Sequence, residues 1–121
     1  MEIKIPGLDV NSGLNLYDGD YKIYLSALRL YVSKTPAVLD RIRNVSAETL
    51  QDYTIGVHGI KGTSEYIGAE ETRKTARQLE AMAKADDLAG VLAQNNAFIK
   101  HVENLIGIIR DWLEKYDAAQ N

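Results

Sequence analysis

The residues of this 121-residue chain whose types and spacing could do chemistry lie together in the stretch from Ser46 to Ala69, SAETLQDYTIGVHGIKGTSEYIGA. A neutral imidazole such as that of His58 is a nucleophile able to carry a covalent phosphoryl group. Lys61 supplies a mobile positive charge with three donors, suited to an anion held at the ring and to the charge that collects on a phosphoryl group in transit. Gly62 adds no bulk where the ring must be reached. A nucleophilic ring, a cation and a cleared space together indicate phosphoryl chemistry.

One helix must position these groups. Leu50, Tyr53, Val57, Ile60 and Ile67, with Ser64 between the last two, recur at intervals of three and four, so a helix places them on a single buried face. At about 100° per residue, His58 lies roughly 140° from the centre of that face, with Gln51, Thr54, Lys61 and Glu65 as neighbours on adjacent turns. Its ring is expected to face solvent, and Glu65 is expected to pair with Lys61 or with water. Gly56, Gly59 and Gly62 each cost the helix about 0.5–1 kcal/mol relative to alanine. Gly56 falls near the buried side, where a missing side chain admits a neighbouring helix, whereas Gly62 lies outside, one turn beyond His58. Ile55 and Tyr66 fall on the outer flank beside Gly59 and Gly62, where a bundle has little use for apolar groups. They read as a contact for a partner's helix, with cover by the N-terminal segment as the equal alternative for Ile55. Ser64 is expected to bond a backbone carbonyl of the preceding turn, and Gly68 to shape the turn that ends the helix.

The remaining elements are read in chain order. Met1, Ile3 and Ile5 alternate weakly before the turn signal Pro6-Gly7. Asp9 caps a short helix through Leu16, ended by Asp18-Gly19. From Asp20, Tyr21, Tyr24, Leu25, Leu28, Tyr31 and Val32 form one helical stripe, and this spacing makes the tyrosines core residues rather than a base-stacking surface. Thr35-Pro36 reads as a cap and first helical residue that stop one helix and start another through Ile42. Ser46 is placed to cap the central helix. Glu70 and Glu71 suit the start of the next helix, which buries Thr72, Ala76, Leu79 and Met82 or Ala83. Asp86-Asp87 caps a last helix of about 29 residues, with Leu88, Val91, Leu92, Asn95, Phe98, Val102, Leu105, Ile109, Trp112 and Tyr116 at heptad-like spacing. His101 sits at the flank of that stripe as a boundary residue. No stretch reads as a sheet. The expected fold is all-α, an antiparallel four-helix bundle with a short N-terminal capping helix. One domain spans 1–121, with a lead-in and capping helix over 1–19, the bundle over 20–116 and a polar tail over 117–121.

His58, Lys61, Gly62, Ser64, Gly68 and Ala69 match the H-x-x-K-G-x-S-x-x-x-G-A signature of histidine-containing phosphotransfer (HPt) domains, the four-helix modules of two-component phosphorelays. Pro6-Gly7-Leu8-Asp9, Gly13-Leu14, Gly19-Asp20 and the tyrosine-rich helix are similar to the start of HPt domains in hybrid sensor histidine kinases. The resemblance implies that Nε2 of His58 attacks an aspartyl phosphate on a response-regulator receiver domain and passes the phosphoryl group to another receiver aspartate. It implies that Lys61 stabilises phosphoryl charge, that Gly62 secures steric access, and that Gln51, Ile55, Gly59, Glu65 and Tyr66 contact the partner. On this reading the chain is a carrier without turnover of its own, and the Mg²⁺ belongs to the receiver.

Composition narrows the rest. The absence of cysteine removes disulfides, thiolate catalysis and cysteine-ligated metals. A net charge of −3 argues against generic nucleic-acid binding, which needs clustered Lys and Arg. No run of apolar residues is long enough to span a bilayer and no signal-peptide pattern opens the chain, so a cytoplasmic location without membrane insertion is expected. The two histidines lack the inward-facing glutamates of a helical metal site. A kinase- or receiver-binding scaffold that keeps the bundle but carries no phosphate is the competing function class.

Overall fold

The computed structural model describes residues 2–120, and Met1 and Asn121, which enter the lead-in and tail readings, lie outside the described residues. Its elements are α1 (Val10–Asn15), α2 (Tyr21–Ile42), α3 (Leu50–Ile67), α4 (Glu70–Lys84) and α5 (Leu88–Gln120). No strand occurs among the described residues. Each long helix packs on the next and α2 packs on α5, which closes a four-helix ring, while α1 lies against α3 and α2. Short connections force neighbouring helices to run antiparallel. The core is the set of stripes turned inward, including Tyr24, Leu28, Val57, Ile60, Leu79, Val91 and Ile109.

Two boundaries differ from the sequence reading. The helix begun at Asp20, which accepts from the backbone N–H groups of Lys22 and Ile23, does not stop at Thr35-Pro36 but runs unbroken to Ile42. Proline in a helix interior removes one backbone bond, yet Pro36 lies on the solvent side while Tyr31, Thr35, Leu39 and Ile42 continue the buried stripe across it. Packing on both sides outweighs the local defect. The central helix begins at Leu50, with Thr49 rather than Ser46 as its N-cap. The hydroxyl oxygen of Thr49 accepts from the backbone N–H of Ser46 at 2.8 Å, and it makes no capping bond into α3.

The C-terminus of α3 is held more firmly. Gly68 adopts φ +78°, and the backbone N–H groups of Gly68 and Ala69 donate to the carbonyls of Glu65 and Ser64, the two bonds of a Schellman motif. The backbone N–H of Asp9 donates to the Gly68 carbonyl at 2.8 Å, and a side chain at 68 would strike the Asp9 backbone. Only glycine meets both demands. Tyr24 and Tyr17 donate their hydroxyls to the carbonyls of Ile67 and Tyr66 at 2.7 and 3.0 Å. Ser64 pairs with the hydroxyl of buried Tyr31 at 3.1 Å, not with a carbonyl of its own helix, and burial pushes the Tyr31 phenol up to about 12. Tyr53 donates to Asn95, whose amide donates in turn to the Ile42 carbonyl.

Among the described residues, no buried side-chain nitrogen or oxygen lacks a partner. In α5, Asp87 accepts from the backbone N–H of Gly90 and caps the helix. Its buried stripe passes through Ile99, Ile106 and Leu113 and leaves Leu92 exposed, because the contact face drifts around a helix this long. Tyr21, at the margin of the α2 stripe, is also on the surface. The residues read as a polar tail continue α5 to Gln120, where Arg29 grips Asp117 through two bonds of 2.9 and 2.7 Å.

The glycines of α3 make the packing testable. A methyl at Gly56 would come within 2.5 Å of the buried Ile42 side chain, whereas one at Gly59 would meet nothing within 4 Å. Gly56→Ala is expected to lower stability by roughly 1–3 kcal/mol through overpacking. Gly59→Ala should raise it by about 0.5–1 kcal/mol through helix propensity. Urea unfolding of the two variants checks both signs.

Candidate functional site

The middle of α3 presents its two faces to different surroundings. Val57 and Ile60 are buried, while the His58 side chain between them is 65% exposed, as the angular spacing requires. Open space surrounds Gly59 and Gly62: a Cβ at either position would touch nothing within 4 Å. The ring is therefore approachable from the flank that carries Ile55 and Tyr66, which are 60% and 55% exposed. The N-terminal segment does not cover Ile55. Its own apolar residues, Ile3 and Ile5, are buried elsewhere in the core. Gln51 and Glu65 are exposed on the turns before and after His58.

The other flank of the ring faces α4 and holds the residue that sequence reasoning missed. Glu80 has a side chain only 6% exposed, and its Oε2 lies 2.6 Å from Nδ1 of His58. The same carboxylate accepts from Lys61 Nζ at 2.6 Å through Oε1, and Lys84 Nζ stands 3.5 Å from Oε2. Lys61 thus pairs across helices with Glu80 and not with Glu65 along its own helix, because a half-buried ammonium gains more from a buried carboxylate than from a solvated one. The signal for Glu80 was present in the sequence: Thr72, Ala76 and Glu80 recur every fourth residue along the buried side of α4. A charged residue in register with a core stripe marks a polar contact inside the packing.

Burial opposes ionisation of Glu80, but the hydrogen bonds from Lys61 and His58 and the charges of Lys61 and Lys84 outweigh it and hold the carboxyl below its ordinary value. An ionised carboxylate only accepts hydrogen bonds, so the facing Nδ1 is the protonated nitrogen of the ring. In the neutral ring, Nε2 on the opposite edge then carries the lone pair.

His101 lies away from this cluster, with its Nε2 2.9 Å from the Thr72 hydroxyl. Among the described residues, no group of three or more His, Asp or Glu is placed to hold a metal ion. Among the same described residues, no helix is long and apolar enough to cross a membrane.

A family model for the Hpt domain matches residues 26–119, and the chain belongs to the Hpt domain family. It is 29% identical over 101 residues to the phosphorelay intermediate protein rdeA of Dictyostelium discoideum, a match that covers 83% of this chain and 40% of that protein. The chain thus spans less than half the length of this relative. Comparison with solved structures gives no significant match.

The clasp between the two helices has a pH signature. A carboxyl whose folded value is depressed contributes stability that is fully present above its unfolded value, 4.5 here, and that is lost as pH falls through the lower folded value. As pH falls below that unfolded value, the unfolding free energy of the wild type should therefore fall more steeply than that of Glu80→Gln. Urea denaturation across this range measures the difference, and parallel curves would show that the carboxylate contributes nothing through its charge.

Proposed function

We propose that this chain is a phosphorelay intermediate that accepts a phosphoryl group on Nε2 of His58 from an aspartyl phosphate of a receiver domain and passes it to the aspartate of another. The observation that carries this reading is the ring itself, exposed on an otherwise packed helix, tethered through Nδ1 and open at its nucleophilic edge. In the forward step the Nε2 lone pair forms the N–P bond, and the P–O bond to the aspartyl carboxylate breaks with its electron pair leaving on that carboxylate. Transfer to the second receiver is the same exchange in reverse.

Positioning and charge are what such a step asks of a protein. The Glu80 contact orients the ring, Gly59 and Gly62 leave room for the receiver to bring phosphorus in line, and Lys61 lies one turn from His58 for the equatorial oxygens. The chain acts as a carrier and not as a catalyst with turnover: the receiver supplies the Mg²⁺ and the acidic pocket, and no cofactor of this chain takes part. Docking is assigned to the flank with Gln51, Ile55, Gly59, Glu65 and Tyr66. Support comes from an apolar groove of about 450 Å³ that begins at Thr63 and Tyr66 and continues across Ile23, Ala27 and Leu30 of α2. Exposed apolar side chains gathered on one side of a small domain suit a partner's helix. The receivers fall within a two-component pathway, including those of hybrid sensor kinases, and the site of action is the cytoplasm.

His58→Gln should abolish acid-labile phosphorylation by a phosphorylated receiver and leave the helical circular dichroism unchanged; label retained on the variant would remove His58 from the assignment. A chain that binds the receiver but never takes up label would instead be a scaffold. Gly62→Leu should keep or raise thermal stability, since the helix gains a better former and the site is open. Its transfer rate should fall roughly ten- to hundredfold as bulk enters the approach to the ring. Lys61→Ala should slow transfer with the bundle intact, as followed by rapid-quench kinetics.

A further inference from the structure

Beyond Gly62 the outer flank of α3 leads into the apolar groove shared with α2, and one charged side chain, Lys34, lines that groove. Hydroxyls on its walls are already engaged within the chain. Tyr17 donates to the Tyr66 carbonyl, Ser26 to the Lys22 carbonyl and Thr63 to the Gly59 carbonyl, while the Tyr31 hydroxyl pairs with Ser64. Lys34 is different. Elsewhere on α2, Arg29 and Arg41 are each held by a carboxylate, that of Asp117 and that of Asp52. Among the described residues, no carboxylate pairs with the Lys34 ammonium. The groove also lies inside any footprint that brings a partner to the ring. Thr63, on its α3 wall, stands about 7.5 Å from His58 along the helix axis, whereas a stable interface covers about 800 Å² on each partner, a disc of roughly 16 Å radius. A receiver whose aspartyl phosphate reaches Nε2 therefore covers the groove and strips water from Lys34. An ammonium dehydrated against apolar walls without a counter-charge is costly, and a carboxylate supplied by the partner turns the same group into an attraction.

We propose that Lys34 is a specificity-determining residue for receiver docking: it admits receivers that set an Asp or Glu side chain among apolar anchors in this groove and rejects those that set an apolar or basic one there. The proposal rests on the reading of the chain as a phosphorelay intermediate that docks receivers on this flank. Exposed Ile23, Leu30 and Tyr66 supply contact that any apolar helix face satisfies, so they favour many receivers alike. A single ammonium among them discriminates, because a mismatched partner leaves a charge unpaired in a dry contact. The bond made to phosphorus is the same whichever receiver brings it, so the chemistry itself ranks none of them. Lys34 lies on α2, across the groove from the helix that carries the ring. Its effect belongs to the choice of partner and not to the transfer step.

The experiment uses the full chain and a panel of purified receiver domains, with binding measured by titration calorimetry and transfer by rapid-quench kinetics from each receiver phosphorylated on its aspartate. In the receiver that binds most tightly, exposed Asp and Glu residues are changed one at a time to Lys. Lys34→Glu should weaken that receiver at least about tenfold, and one of the receiver's Lys substitutions should restore most of the loss. If none of them does, the selectivity is overturned. Lys34→Met keeps a long apolar stem and removes the charge. It should narrow the spread of affinities across the panel, weakening receivers that carry the acid and strengthening those that lack it. An equal change for every receiver would show a lysine that only packs or steers, and this too overturns the proposal. Label on His58 is scored apart from binding. A chain whose partners are reordered by the Lys34 variants but which takes no label keeps the selectivity and loses the acceptor reading; label on His58 with an unaltered ranking does the reverse.

Discussion

A carboxylate withdrawn from water must find its counter-charges within reach, and in this protein that requirement joins the two helices on which the site is built. Glu80 enters the contact between α3 and α4 from the α4 side, and α3 answers with His58 and Lys61. A buried ion pair gives little net stability, because desolvation cancels much of the attraction. Its effect is geometric: the imidazole edge and the lysine must lie where the carboxylate is, so the register of α3 against α4 and the orientation of the ring are set together.

The rest of the bundle keeps α3 in that register. At its C-terminus, the left-handed Gly68, the Asp9 backbone and the hydroxyls of Tyr17 and Tyr24 occupy carbonyls that a helix end would otherwise leave to solvent. In the interior, Tyr31 meets Ser64 and Tyr53 meets Asn95, so each neighbouring helix is tied to α3 by a polar contact with directional demands as well as by apolar area. Gly56 lets α2 approach through Ile42. Against this fixed back, the front at Gly59 and Gly62 is open, since a Cβ at either position would touch nothing within 4 Å.

The fold was largely legible in the chain. Apolar residues at helical intervals, the Asp9 and Asp87 caps and the Gly68 turn each recur in the structure where the pattern put them. The readings that differ share a cause, which is that local preference yields to contacts from distant segments. Pro36 would end an isolated helix, but the buried stripe continues through it. Ser46 is a good cap in isolation, but Thr49 and the turn between them lie closer to the start of the packed face. Leu92 fits a heptad drawn on paper, but the stripe of a long helix drifts away from it.

For the site, sequence determined that His58 faces solvent, that Lys61 and Gly62 accompany it, and that Ile55 and Tyr66 share its outer flank, since all of these follow from the angular positions of residues on one helix. It did not determine where the ring's inner nitrogen or the lysine ammonium goes. Those depend on a carboxylate 22 residues further along the chain, placed beside them only when α4 folds back antiparallel to α3. Periodicity along one helix orders its own side chains, but the tautomer of a ring and the partner of a cation are settled by the groups that packing brings against them.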